Sequence, residues 1–332
     1  MRKRLDTGVE TGIINLKRFG CKLRSGSAAL NRFRAFGGFV YHPGAIAASS
    51  ASSLFRPRRL AVARTAGFFC HKTAVEVPMG ELLWKLEEHV ARLQANQLSA
   101  SLNLLWPQQG LTEIGCQTVR LSDARLLAMM IAPSPTEDLG TLAERYVRGA
   151  DLVAVYEESA TRPVRVDAMW RAMTPVQGEP LVTALDLIVS VRTRSLDTRP
   201  DLHVQTVVPA DEVLRLTGAA GFVHQRLPLP DEKPLVLQPH DGPGCLLFRL
   251  PGSALSYAEM VHPVDFQRDE LSGSRQGDRM TRLQHCLFAS RLEKGVLLRA
   301  RVRAVFLPRR QDCGLAAECY AAFAAAEPPL GT

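Results

Sequence analysis

Apolar and polar residues alternate one by one from Leu298 to Phe306. Leu298, Ala300, Val302, Ala304 and Phe306 fall on one side of an extended chain, and Arg299, Arg301, Arg303 and Val305 on the other. A period of two belongs to a β-strand with one buried face. A helix would scatter the arginines around its surface. Just upstream, Leu283 to Leu292 reads as a second strand, with Leu287, Phe288 and Leu292 in its apolar set. Glu293-Lys294-Gly295 between them predicts a hairpin turn, the glycine supplying positive φ. Leu307-Pro308 ends the run, since proline cannot donate to a central ladder.

Runs of the same kind recur at Leu111–Leu121, Leu126–Ile131, Tyr146–Tyr156, Val164–Met173, Leu181–Thr193, Leu202–Val208, Gly221–Leu227, Leu235–Leu237, Cys245–Leu250 and Ala254–Val261. Turn-forming clusters such as Gln177-Gly178-Glu179-Pro180 and Asp241-Gly242-Pro243-Gly244 separate them. Many short strands at this spacing predict a mainly β chain: an antiparallel β-sandwich over residues 101–332, with the large supersandwich type as one form, and a few flanking helices. Leu181–Arg194 and Leu202–Val208, joined at residues 195–201, predict a large hairpin.

Three segments read as helical. Leu82, Leu86, Val90 and Leu93 recur at spacings of three and four and predict an amphipathic helix over residues 79–100. Residues 209–218 predict a short helix with acids in its first turn and a closing glycine. Gly314–Ala326, alanine-rich with Leu315, Cys319 and Phe323 four apart, predicts a C-terminal helix stopped by Pro328-Pro329.

Charge divides the chain. Of 41 Lys+Arg and 33 Asp+Glu, residues 1–78 hold 14 and 3, which leaves 27 and 30 for the rest. The basic character therefore belongs to the first quarter, and no nucleic acid is expected as a partner of residues 79–332. Residues 1–78 lack hydrophobic periodicity and predict a disordered or non-native N-terminal extension, with Met79 close to the true start. A transit peptide or a basic tail is the alternative. No apolar run of about 18 residues occurs, so no membrane association is expected. The seven cysteines are scattered, without CxxC, and predict a reducing, cytoplasmic setting with no metal and no cofactor.

No Walker loop, GxGxxG, HExxH, GxSxG or EF-hand pattern is present. Glu259 and His262 lie in the richest polar segment and are candidate catalytic groups, although three residues apart on a strand they point to opposite faces. Beyond Pro263, a charged loop is expected. Asp186, inside the apolar run Leu185–Val191, is a third catalytic candidate, or the partner of an arginine on a neighbouring strand. Arg299, Arg301 and Arg303, with Arg165, form a candidate ligand-binding set for a small anion; the competing readings are a solvated face or pairing with acids. His203, His224, His240 and His285 are isolated in sequence and read as surface or core histidines.

From Leu292-Glu-Lys-Gly-Val-Leu-Leu-Arg-Ala-Arg-Val-Arg and the closing Glu327-Pro-Pro-Leu-Gly-Thr, the chain resembles uncharacterised bacterial proteins of the planctomycete kind, a likeness that implies no site. In architecture, residues 102–310 resemble the galactose-mutarotase-like sandwiches. That resemblance implies carbohydrate binding or sugar epimerisation, although the Asn-His motif with its aromatic and Phe-Asn is absent. The expected function is a binding or assembly module acting through sheet faces or edges. A carbohydrate-active enzyme using Glu259 and Asp186 is the alternative, which leaves a carbohydrate or a small anion as the partner classes.

Overall fold

A computed structural model describes residues 83–327 except 96, 132–139, 161, 174–182, 219–220, 229–231 and 274–279. The expectation for residues 1–78 lies outside them. The strands are β1 (Trp84–Glu87), β2 (Val90–Ala95), β3 (Leu98–Asn103), β4 (Leu111–Cys116), β5 (Val119–Leu121), β6 (Arg125–Ile131), β7 (Thr141–Arg148), β8 (Asp151–Glu157), β9 (Arg165–Met173) and β10 (Thr183–Arg192). They continue with β11 (Leu202–Pro209), β12 (Glu212–Thr217), β13 (Gly221–His224), β14 (Leu235–Leu237), β15 (Cys245–Arg249), β16 (Leu255–Val261), β17 (Arg268–Gly273), β18 (Met280–Leu287) and β19 (Leu297–Pro308), followed by helix α1 (Asp312–Ala325).

The strands form two antiparallel sheets. One has the order β1-β2-β3-β4-β6-β11-β18-β17-β14, with β5 on β4; the other has the order β13-β12-β15-β16-β19-β10-β9-β8-β7. Period-two alternation aims one face of each sheet at the other. Leu185, Ala304 and Phe306 of the second sheet meet Leu98, Leu111 and Leu126 of the first across the sandwich. One continuous core results, and Ala300, Val302, Ala304 and Phe306 of β19 belong to it, as their alternation predicts. A smaller apolar cluster lies outside the second sheet, where α1 packs on Val305, Leu307, Leu247 and Met260.

Four local expectations are corrected. Over residues 83–100 the chain forms strands, not a helix. Ala91, Leu93 and Ala95 are buried at alternate positions, while Glu88, at φ 51°, turns the chain between β1 and β2. Leu86 and Val90 mimic helical spacing only because they flank that turn. Residues 212–217 form β12, because pairing with β13 and β15 buries Val213, Leu214 and Leu216 and overrides local propensity. The expected charged loop after Pro263 gives way to β17, whose Asp269 and Leu271 are buried.

The fourth correction concerns the two predicted hairpins. β10 and β11 lie in different sheets, and so do β18 and β19. Their connections at 193–201 and 288–296 are crossovers between sheets, and they pair with each other: Thr198 N donates to Leu292 O at 3.1 Å, and Leu292 N to Thr198 O at 2.8 Å.

Candidate functional site

Four polar residues stand at inward positions where their strands otherwise place core side chains. Thr206 lies between Val204 and Val208, Glu259 between Tyr257 and Val261, and His285 between Leu283 and Leu287; Asp269 precedes Leu271 by two. Glu259 comes from one sheet and the other three from the opposite one. They meet in the core. His285 Nε2 lies 2.9 Å from Glu259 Oε1, and His285 Nδ1 lies 2.6 Å from Asp269 Oδ1. Thr206 Oγ1 donates to Glu259 Oε2 at 2.7 Å, and Tyr257 Oη donates to the same oxygen. Thr206 in turn accepts from Leu127 N at 3.0 Å.

The cluster is sealed: the side chains of His285, Glu259 and Asp269 are exposed by 1%, 0% and 2%. Burial works against the imidazolium, but the two flanking carboxylates outweigh it and push the His285 pKa up to about 10. Burial raises the Asp269 carboxyl despite the histidine beside it, and raises the Tyr257 phenol well above its usual range. A protonated imidazole between two carboxylates satisfies both of its N–H groups and leaves no ring nitrogen to act as a base. Among the described residues, no group of three or more His, Cys, Asp or Glu is arranged to hold a metal ion.

The other candidates gather on the outer face of the second sheet. Arg303 grips Asp186 through two bonds of 2.5 and 2.8 Å, and Arg171 grips Asp151 through two of 2.7 and 2.9 Å. In register, these four residues form one row across β8, β9, β10 and β19. Arg299 Nε donates to Ser190 Oγ at 2.9 Å. Arg301, 5% exposed, donates to the carbonyls of Phe323, Ala326 and Glu327 at the end of α1. His262 sets its ring edge-on to Phe323, with centroids 5.5 Å apart; burial, then the charge of Arg301, hold its pKa down. Arg165 stands apart from that group, bonded to Glu157 and, at 3.0 Å, to Asp167.

Structure therefore brings His262, Asp186, Arg301 and Arg303 together under α1, and places Glu259 on the opposite face of the same sheet. His285 is a core histidine, one of the two settings its sequence allows, whereas Asp269 was not singled out. The available signal was a polar residue two positions from a core leucine: His285 beside Leu283 and Leu287, and Asp269 beside Leu271.

A third feature is exposed. Among the described residues, three of the loops that carry the chain between sheets, 193–201, 262–267 and 288–296, are tied to one another. Besides the Thr198–Leu292 pairing, Arg291 meets Asp197 at 3.2 Å and Ala289 N donates to Gln267 Oε1 at 3.1 Å. On or beside these tied loops, Leu196 is 85% exposed, Val264 78%, Leu297 48% and Val296 41%.

No protein-family model matches the chain, and no curated protein matches it in sequence. Solved structures are similar to it in fold. A candidate aldose 1-epimerase from Escherichia coli K12 is 11% identical, with a TM-score of 0.48 over 65% of this chain and 98% of that one. An aldose epimerase homologue from C. elegans is 9% identical, with a TM-score of 0.42 over 65% of this chain and 98% of that one. A GH36 α-galactosidase from Geobacillus stearothermophilus is 9% identical, with a TM-score of 0.43 over 68% of this chain but only 41% of its own length. At this identity the likeness concerns the sandwich alone.

Proposed function

We propose that this β-sandwich is a binding and assembly module without catalytic chemistry of its own, and that it self-associates through the crossover-loop end. The supporting observation is a contrast of exposure. Glu259, His285 and Asp269 are sealed in the core, whereas Leu196 and Val264 stand 85% and 78% exposed on loops tied to one another. Large apolar side chains held out on a braced scaffold mark an interaction surface, because ordering costs are already met before binding.

Sedimentation of the full chain over a range of concentrations tests this. The expected result is a reversible dimer that Leu196→Asp with Val264→Asp converts to a monomer of unchanged melting temperature. A wild-type chain that stays monomeric throughout overturns it.

A second reading, carbohydrate binding, rests on Trp106, whose indole is 52% exposed beside the 45% exposed Leu105. An exposed indole offers a flat apolar face with a polar edge, suited to a sugar ring. Saturable stabilisation by a sugar that disappears in Trp106→Ala would favour this reading over self-association.

A further inference from the structure

We propose that helix α1 is a displaceable strap, and that the face of β16 and β19 beneath its C-terminal half is a site for a small oxyanion such as phosphate. The helix is held differently at its two ends. At its start, Asp312 receives Arg249 at 3.1 and 3.3 Å and the Ser256 hydroxyl at 2.8 Å, a charge-assisted anchor. At its end the hold is Arg301, whose guanidinium donates to the carbonyls of Phe323 at 3.3 Å, Ala326 at 2.9 Å and Glu327 at 3.4 Å. Between the ends, Ala316 and Phe323 are the apolar helix residues that are fully buried. The C-terminal half therefore rests on Phe323, on the partly buried Cys319 and Tyr320, and on one arginine.

That arginine is in an unusual position. Arg303 is paired with Asp186, whereas the guanidinium of Arg301, on a residue 5% exposed, makes its hydrogen bonds to neutral carbonyls, feels the Asp186 and Asp265 carboxylates only through space, and has an Nε without a hydrogen-bond partner. The end of a helix carries only about half a negative charge. A phosphate offers full charge and two oxygens in the fork geometry that guanidinium favours. Phe323 lies between Arg301 and Arg303, its ring centroid 4.6 Å from each guanidinium carbon, and the His262 ring touches its edge. Peeling the helix back from Phe323 uncovers the Arg301 guanidinium and the His262 imidazole beside the Arg303–Asp186 pair. The C-terminal carbonyls of α1 thus stand where an anion would sit, and strap and anion compete for Arg301.

The test is phosphate titration of the full chain, read by melting temperature and by hydrogen exchange of the α1 amides, with sulfate as the matching probe. Saturating phosphate should speed exchange in α1 while leaving β19 protected. Phe323→Ala weakens the strap and should tighten the apparent phosphate affinity about tenfold or more. Arg301→Met, which keeps apolar bulk, should abolish the effect in both backgrounds. Phe323→Leu replaces Phe323→Ala if the latter loses cooperative melting. A folded Phe323 variant with no saturable phosphate response overturns the proposal, as does a response that survives Arg301→Met.

Discussion

His285 and Glu259 meet at 2.9 Å although their strands lie in opposite sheets. Sequence neighbours could not have shown this pair, and its partners make it costly to break. In His285→Leu two buried carboxylates, Glu259 and Asp269, face each other without a cation. Removing one member of a buried charged set costs about 3–5 kcal/mol. Replacing all three by leucine should recover most of that loss. Urea unfolding of the single and triple variants measures both; a triple variant no more stable than the single one would contradict a structural role.

Stability should also fall toward high pH. The His285 pKa rises from 6.5 unfolded to about 10 folded, so its contribution is whole below about pH 6.5 and is lost as pH rises toward 10. The raised Asp269 carboxyl adds a loss of the same sign at lower pH, beginning as pH rises through its unfolded value of 3.8. Melting of the wild type from pH 6.5 to 10 should show a progressive decline that His285→Leu lacks.

The arginines of β19 separate into three grades. Arg299, half-buried and bonded to Ser190, should cost no more than about 1 kcal/mol when changed to alanine. Arg301, buried beneath α1, should cost about 2–3 kcal/mol. Asp186→Ala, which strands the Arg303 guanidinium at 13% side-chain exposure, should cost about 3 kcal/mol. Equal small losses at all three positions would mean a solvated face.

These grades show how far the sequence was legible. Alternation located most strands, assigned the faces of β19 and separated Glu259 from His262, because a strand's two faces are a local property. Sheet membership is not local. The turn residues at 195–201 and 293–295 are those of hairpins, yet both segments cross between sheets, since the choice is made by core pairing far away in sequence. The helical reading of residues 79–100 failed for a related reason. Buried Ala91 and Ala95 carry little apolar signal, while Leu86 and Val90 fell at helical spacing across a turn. His285 was read alone, as a surface or core histidine, rather than against the leucines two positions away, and Asp269 drew no reading of its own.

The central claim is that the acid–histidine–acid cluster is an ionised tie sealed between the sheets, which leaves engagement of partners to other surfaces. Nitrogen-15 NMR of the His285 ring tests it most directly. The account predicts a doubly protonated imidazole that persists past pH 9, with both ring N–H protons visible and slow to exchange with solvent. A ring that titrates near pH 6.5 with rapidly exchanging protons would show that water reaches Glu259 and His285, and would return the cluster to the list of possible active sites.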